Sequence, residues 1–502
     1  MPKSFAVVSL LLFAMLGSPD SRADEKPNGE LPARVATHHT MGLNAAGLIG
    51  RRLDYEAVAE TLPVSDAKGN TTASIFTVSY LTDAENGSAR PVSFVFNGGP
   101  GAASVFLHLG ALGPQILQTP ENGAVPTPPV RLVDNPATWL GFTDLVFVDP
   151  VGTGFSRGKG KDENPDKPFW DVRADIASLG SVIRLWLTRH QRWTSPVWLV
   201  GESYGGFRAA AMAQTLPHDF DVIVKGLVLV SPALDLSALH QTERDLLAAA
   251  FVLPSYAATA AAYDAASAGG SVAEAERFAL SNYLVGLAGL KGQPSAADPL
   301  IARVAQIAGV PADIVRRYRG RIPRHIFARE IRRNRGEVVS LYDSTIEAPA
   351  GPEGGGGGDP VLQPAVAAYG MAFNAYLAEV LGVHTDQPYR VLPHDVSQQW
   401  NWEGERQHGS EGLAMSSLEA ALLEHPATKV LIVNGRYDLV TPYLSSRWLV
   451  DQLEIPEATR STIQLRVYDG GHMVYMRPAS RSLLARDAAE LYDAREPSAP
   501  SQ

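Results

Sequence analysis

The stretch from Pro196 to Met212 constrains the fold of this chain more than any other. Pro196–Val200 is an apolar run suited to a buried strand. Gly201-Glu202-Ser203-Tyr204-Gly205 follows it, and Gly206-Phe207-Arg208-Ala209-Ala210-Ala211-Met212 reads as the start of a helix. Strand, G-x-S-x-G, helix is the setting in which a serine sits on a strained turn with its hydroxyl exposed. Small flanking residues let neighbouring backbone approach, and the helix N-terminus adds a favourable dipole for developing negative charge. Such a turn needs a sheet to end on and a helix to begin.

The rest of the chain supplies that setting. From residue 73 short β-rich runs alternate with helical ones. Ser74–Leu81, Val92–Asn97, Leu145–Asp149, Val197–Val200, Val222–Ser231, Val430–Asn434 and Ile463–Asp469 read as strands, several apolar throughout as in strands buried on both faces. Val172, Ile176, Leu179, Ile183 and Trp186 recur at helical spacing. The fold class is therefore α/β, a mostly parallel sheet flanked by helices. The alternation breaks over residues 246–386, an Ala-rich helical stretch expected to form an inserted cap. It contains a glycine-rich run ending at Gly354–Gly358 and nine arginines between Arg316 and Arg335, expected to form a solvated face or to pair with surplus acids. The core then comprises residues 24–245 and 387–495, with a tail at 496–502.

Composition narrows the chemistry. With no cysteine, thiol catalysis, Cys-ligated metal centres and disulfide scaffolds are excluded. A net charge of −10 argues against nucleic acid as a partner, since phosphate binding needs a positive footprint. Lys3, the apolar run Phe5–Leu16 and Ser21-Arg22-Ala23 resemble a cleaved leader over residues 1–23. That run falls short of the roughly 20 apolar residues a membrane span needs, and no later segment was expected to supply them. The chain is expected to be exported, periplasmic or secreted. Its oligomeric state is not legible.

A serine on such a turn needs a base, and the order expected after an elbow is Ser, then Asp or Glu, then His. Eight histidines follow Ser203: His218, His240, His325, His384, His394, His408, His425 and His472. His472 alone lies beyond the last strand, in Asp469-Gly470-Gly471-His472-Met473, where paired glycines permit a sharp loop. Asp438, just after the strand at Val430–Asn434, is the favoured orienting acid over Asp451 and Asp469. Asn97-Gly98-Gly99-Pro100-Gly101 follows the strand at Val92 and points to Gly99 and Tyr204 as backbone donors to an oxyanion. No Gly-Lys-Ser/Thr follows that loop, Gly152-Thr153-Gly154 is too short for a dinucleotide fingerprint, and no metal-ligand spacing appears. No cofactor is expected.

Asn97–Gly101, Asp149–Ser156, Gly201–Gly206, Asn434–Asp438 and Gly470–Met473 together resemble the serine carboxypeptidases, with the absence of cysteine suggesting a bacterial type. The resemblance implies an α/β-hydrolase fold with a Ser203–His472–Asp438 triad and an oxyanion hole at Gly99 and Tyr204. It also implies peptide substrates with a free C-terminus, whose carboxylate Asn97, Gly98 and Glu202 would bind. A carboxylate holds another only through a shared proton, so Glu202 would be protonated and activity favoured below neutral pH. The sequence departs from the family at Val95, where a tryptophan is usual, at Ala111, where a glutamate of the carboxylate network is usual, and in its missing disulfides. An esterase or acyltransferase on the same triad is the alternative, and a non-catalytic binding protein on this fold a more distant one.

Overall fold

The computed structural model describes residues 31–43, 51–82, 89–239, 245–264, 270–289, 297–351, 358–402 and 413–493. The expected leader (1–23), the C-terminal tail, His240, His408 and most of the glycine-rich run lie outside the described residues.

One large sheet organises the molecule. Its main strands are β1 (Arg34–Leu43), β2 (Arg51–Ser65), β3 (Thr71–Leu81), β4 (Val92–Phe96), β5 (Asp144–Val148), β6 (Val197–Glu202), β7 (Val224–Val230), β8 (Lys429–Gly435) and β9 (Ile463–Tyr468). They lie in the order β1-β2-β3-β5-β4-β6-β7-β8-β9, with Arg157–Gly158 pairing against β3. The pairs β1–β2, β2–β3 and β3–β5 are antiparallel, and every later pair is parallel. This is the α/β-hydrolase arrangement. After β4 the chain crosses to β5 on one side and to β6 on the other, and a switch of this kind opens a crevice at the carboxyl ends of the strands.

The alternation of side chains across β4 shows how the sheet is buried. Phe94 and Phe96 face one apolar layer with α1 (Val172–Arg189), α2 (Tyr204–Phe220) and α5 (Leu413–Glu424). Val95 faces the opposite layer with α4 (Leu362–Glu379) and α6 (Pro478–Asp493). Fully buried strands of this kind read as unbroken apolar runs, which is why they were visible in the sequence. Strands β1 and β2 were not anticipated. In β2 Asp54 and Glu56 alternate with the buried Tyr55 and Ala57, a period of two that suits an antiparallel strand, while Glu60 further along is buried and meets His190 at 2.6 Å.

The helical stretch 246–386 divides between two layers. Residues from Ala249 to Phe327 form a separate apolar cluster that also includes Leu439 from the loop after β8 and Tyr443 and Leu444 from the helix that follows it. Helix α4, by contrast, packs on the sheet through Tyr369, Phe373 and Tyr376. Among the described residues one helix, α3 (Leu246–Tyr263), is long and apolar enough to cross a membrane, against the expectation that no segment would be. Ala248–Ala250, Phe251, Val252 and Leu253 are buried within the protein, which accounts for its apolarity.

Candidate active site

Strand register sets the first pair of residues. Phe96 on β4 aligns with Gly201 on β6, so Asn97 and Glu202 emerge side by side at the carboxyl edge of the sheet. Ser203 follows with φ 58° and ψ −123°, a conformation rare outside glycine. The turn closes because Gly205 has no side chain: a Cβ there would stand 2.6 Å from the Phe96 carbonyl. Helix α2 begins at Tyr204 and presents its N-terminus to this corner.

The glycine loop packs against the same turn. A Cβ on Gly98 would lie 2.6 Å from the Tyr204 nitrogen and 2.9 Å from the Ser203 Cβ, so this backbone approach requires glycine. A buried arginine joins loop and helix. Arg208 on α2 donates to the Asn97 carbonyl at 2.7 Å and to Asp175 on α1 at 2.7 Å. Its guanidinium also lies over the rings of Tyr204 and Phe96.

The loops after β8 and β9 bring Asp438 and His472 together. His472 Nδ1 and Asp438 Oδ2 are 2.8 Å apart, and both side chains are buried. Asp438 Oδ1 accepts from the Val440 and Thr441 amides at 2.7 and 3.0 Å, while the Thr441 hydroxyl donates to Oδ2 at 2.7 Å. Burial lowers the proton affinity of His472, but the Asp438 charge, its hydrogen bond and the Glu202 charge outweigh it and leave the imidazole above its ordinary value. The Tyr342 ring meets the imidazole edge-on at 5.2 Å. Of the rival acids, Asp469 is exposed and 3.7 Å from Arg436, and Asp451 ends an outer helix with its side chain exposed. Among the other histidines, His218 pairs with Glu424 on the surface at 2.9 Å.

Ser203 and His472 border one cavity of about 120 Å³ with Asn97, Gly98, Gly99 and Glu202. Its remaining lining is mainly apolar, including Phe106, Leu362, Leu392 and Met473. Glu202 is the unusual group here. Burial pushes its carboxyl up to about 7, although Tyr475 and Asn97 donate to it and His472 lies near. Asn97 is oriented by the Leu107 amide, which donates to its Oδ1 at 3.0 Å and leaves Nδ2 toward Glu202. Val95 is buried in the layer opposite Phe94 and Phe96. Ala111 is buried too, its carbonyl accepting from Asn135 at 2.8 Å.

Sequence reasoning passed over Arg208, Asp175 and Tyr475. Each is an ordinary residue in an ordinary helix or turn, and only the fold brings it to this corner. The nine arginines turned out to be divided. Arg316, Arg332 and Arg333 pair with Asp298, Glu347 and Glu330. Arg324 instead donates to the Leu439 and Val440 carbonyls at 2.9 and 2.6 Å, binding the segment of the separate helical cluster to the loop that carries Asp438.

Comparison with known proteins places this corner in context. Residues 66–252, which contain the glycine loop and the Ser203 turn, match the serine carboxypeptidase family. Serine carboxypeptidase-like 8 of Arabidopsis thaliana is 28% identical over 140 residues, 27% of this chain and 30% of that protein. Pheromone-processing carboxypeptidase KEX1 of Saccharomyces cerevisiae is 30% identical over 150 residues, 28% of this chain and 19% of that protein. The chain thus spans about a third of the length of the first curated relatives it matches. Among solved structures, proline iminopeptidase of Mycobacterium smegmatis aligns at 14% identity with a TM-score of 0.36, covering 86% of this chain and 98% of that one. A complex of DcsB with its substrate analogue aligns at 14% with a TM-score of 0.40, over 86% and 98% of the two chains.

Proposed function

From the match of residues 66–252 to the serine carboxypeptidase family, we propose that this chain is a carboxypeptidase-like hydrolase that releases the C-terminal residue of peptides. The observation that carries the reading is the shared cavity. It joins a serine on a strained turn, an imidazole paired to a buried aspartate, and a buried carboxyl beside an oriented amide.

In this reading the Ser203 hydroxyl attacks the last peptide carbonyl as His472 takes its proton. Asp438 holds the imidazole in the tautomer that presents Nε2 to the serine and stabilises the imidazolium. The Gly99 and Tyr204 amides receive the oxyanion, and the N-terminus of α2 favours the same charge. His472 then protonates the departing amine, and water repeats the sequence in reverse to free the acyl group. Asn97, the Gly98 amide and protonated Glu202 hold the terminal carboxylate. The small apolar lining favours short or medium apolar side chains over charged ones. The cap cluster, fastened by Arg324, restricts access from above, with its limits inside residues 246–386. Catalysis needs no cofactor, and the chain acts as an exported enzyme, periplasmic or secreted.

A second reading, an esterase or acyltransferase, draws on Ala111, an alanine where the resemblance to the serine carboxypeptidases leads one to expect a second carboxyl group. Replacing Ser203 with alanine tests the hydrolase proposal. Release of the C-terminal residue from an N-blocked dipeptide should fall at least about 10³-fold while the fold persists. Unchanged hydrolysis would refute the nucleophile.

A further inference from the structure

Glu202 faces six polar groups. Asn97 lies on β4's loop, Tyr475 and His472 on the loop after β9, Asp438 on the loop after β8, Tyr369 on α4, and Tyr342 in the segment before α4. Only two of these reach it by hydrogen bonds. Asn97 Nδ2 donates to Oε2, and the Tyr475 hydroxyl lies 3.1 Å from Oε1 and 2.9 Å from Oε2. Asn97 borders the cavity, whereas Tyr475 does not and is fully buried.

The site is built to admit that phenol. Gly110 packs beneath it, and a Cβ there would fall 2.5 Å from the Tyr475 ring. Arg481 donates to the Tyr475 carbonyl at 3.2 Å, and the Tyr369 hydroxyl holds the neighbouring Met476 sulfur at 3.0 Å. One short helical turn, Val474–Met476, therefore ties Tyr475 to His472 just before it. Ala111 has no side-chain group that could share a proton with Glu202.

We propose that Tyr475 is the positioning residue of the terminal-carboxylate site, setting through its two contacts the pH range in which Glu202 offers a proton to the substrate. The inference rests on the carboxypeptidase reading. A phenol behaves here as a donor alone: burial and the Glu202 charge hold its proton well above the ordinary tyrosine range. It therefore stabilises ionised Glu202 and opposes the effect of burial. In the protonated state Glu202 O–H donates to the substrate carboxylate, while Tyr475 continues to donate to a carboxyl oxygen. A carboxyl partner would itself titrate, and the tyrosine does not, so one group governs recognition.

The test is kcat/KM against pH for an N-blocked dipeptide with a free C-terminus and for a matched ester that lacks a terminal carboxylate. Losing a hydrogen bond to a charged group raises the Glu202 proton affinity, so Tyr475→Phe should move the alkaline limb for the dipeptide up by about one pH unit. The ester profile should keep its shape. Site-specific 3-fluorotyrosine at position 475 makes the phenol more acidic and so a stronger donor, with one fluorine in place of a hydrogen, and should move the same limb down. A limb that stays in place in both variants, moves the opposite way, or shifts equally for the ester would overturn the proposal. Equal turnover of free acid and amide by the unaltered enzyme would instead defeat the carboxypeptidase reading.

Discussion

At the scale of single residues, two buried groups with opposing needs govern the proposed chemistry. His472 must be neutral to accept the serine proton, yet the Asp438 and Glu202 charges hold it above its ordinary value. Glu202 must carry a proton to bind a carboxylate, and it titrates at about 7. The working form is therefore a base that has lost its proton beside an acid that has kept its own. The expected kcat/KM profile for peptides is a bell near neutrality, with His472 on the acidic side and Glu202 on the alkaline side. For an ester without a terminal carboxylate the alkaline fall should vanish. A peptide profile flat from neutrality to about pH 9 would contradict the role given to Glu202. This sharpens the expectation from sequence, where the shared-proton argument alone pointed to activity below neutral pH. Ser203, Asp438 and His472 were legible as candidates because each sits just beyond a strand. Tyr475 was not, because a tyrosine three residues after a histidine has no signature until Gly110 and Glu202 are seen around it.

At the scale of elements, the site is a set of loops pinned by backbone contacts. Glycines at 98 and 205 let the ends of β4 and β6 approach closely, Gly471 admits the Tyr342–Asp343 backbone, and Arg208 locks α2 to both α1 and the glycine loop. Arg208 is fully buried and is the cation that pairs with buried Asp175 among the described residues, so breaking the pair leaves a buried charge. Replacing Arg208 with methionine should cost about 3–5 kcal/mol in urea unfolding. It should also release Asn97 and weaken substrate binding more than turnover. A loss below about 0.5 kcal/mol would show that the pair does not hold the corner. The buried parallel strands announced themselves as apolar runs. The outer antiparallel strands β1 and β2 did not, since their polar face breaks such a run. Nor could composition separate α4 from the cap. Both are rich in alanine and aromatic residues, and only packing places Tyr376 against Tyr80 of β3 at 2.8 Å.

At the scale of the molecule, the strand order places the four loops of the proposed site at one edge. β4, β6, β8 and β9 all end on the side where the chain crosses over, so loops far apart in sequence meet above the sheet. Residues 66–252, the segment that matches the serine carboxypeptidase family, contain the glycine loop and the Ser203 turn, while the loops of Asp438 and His472 lie beyond that segment and join it through β8 and β9. Two apolar layers and a third cap cluster hold the assembly together with no disulfide, in keeping with a chain that has no cysteine. The central claim is that this edge recognises a free peptide C-terminus. The most direct measurement compares an N-blocked dipeptide as its free acid and as its C-terminal amide, each at neutral pH. The account predicts that the acid is hydrolysed with a kcat/KM at least about tenfold higher, since the amide leaves the buried Glu202 and Asn97 unmatched. Equal hydrolysis of acid and amide, or hydrolysis of simple esters alone, would contradict it.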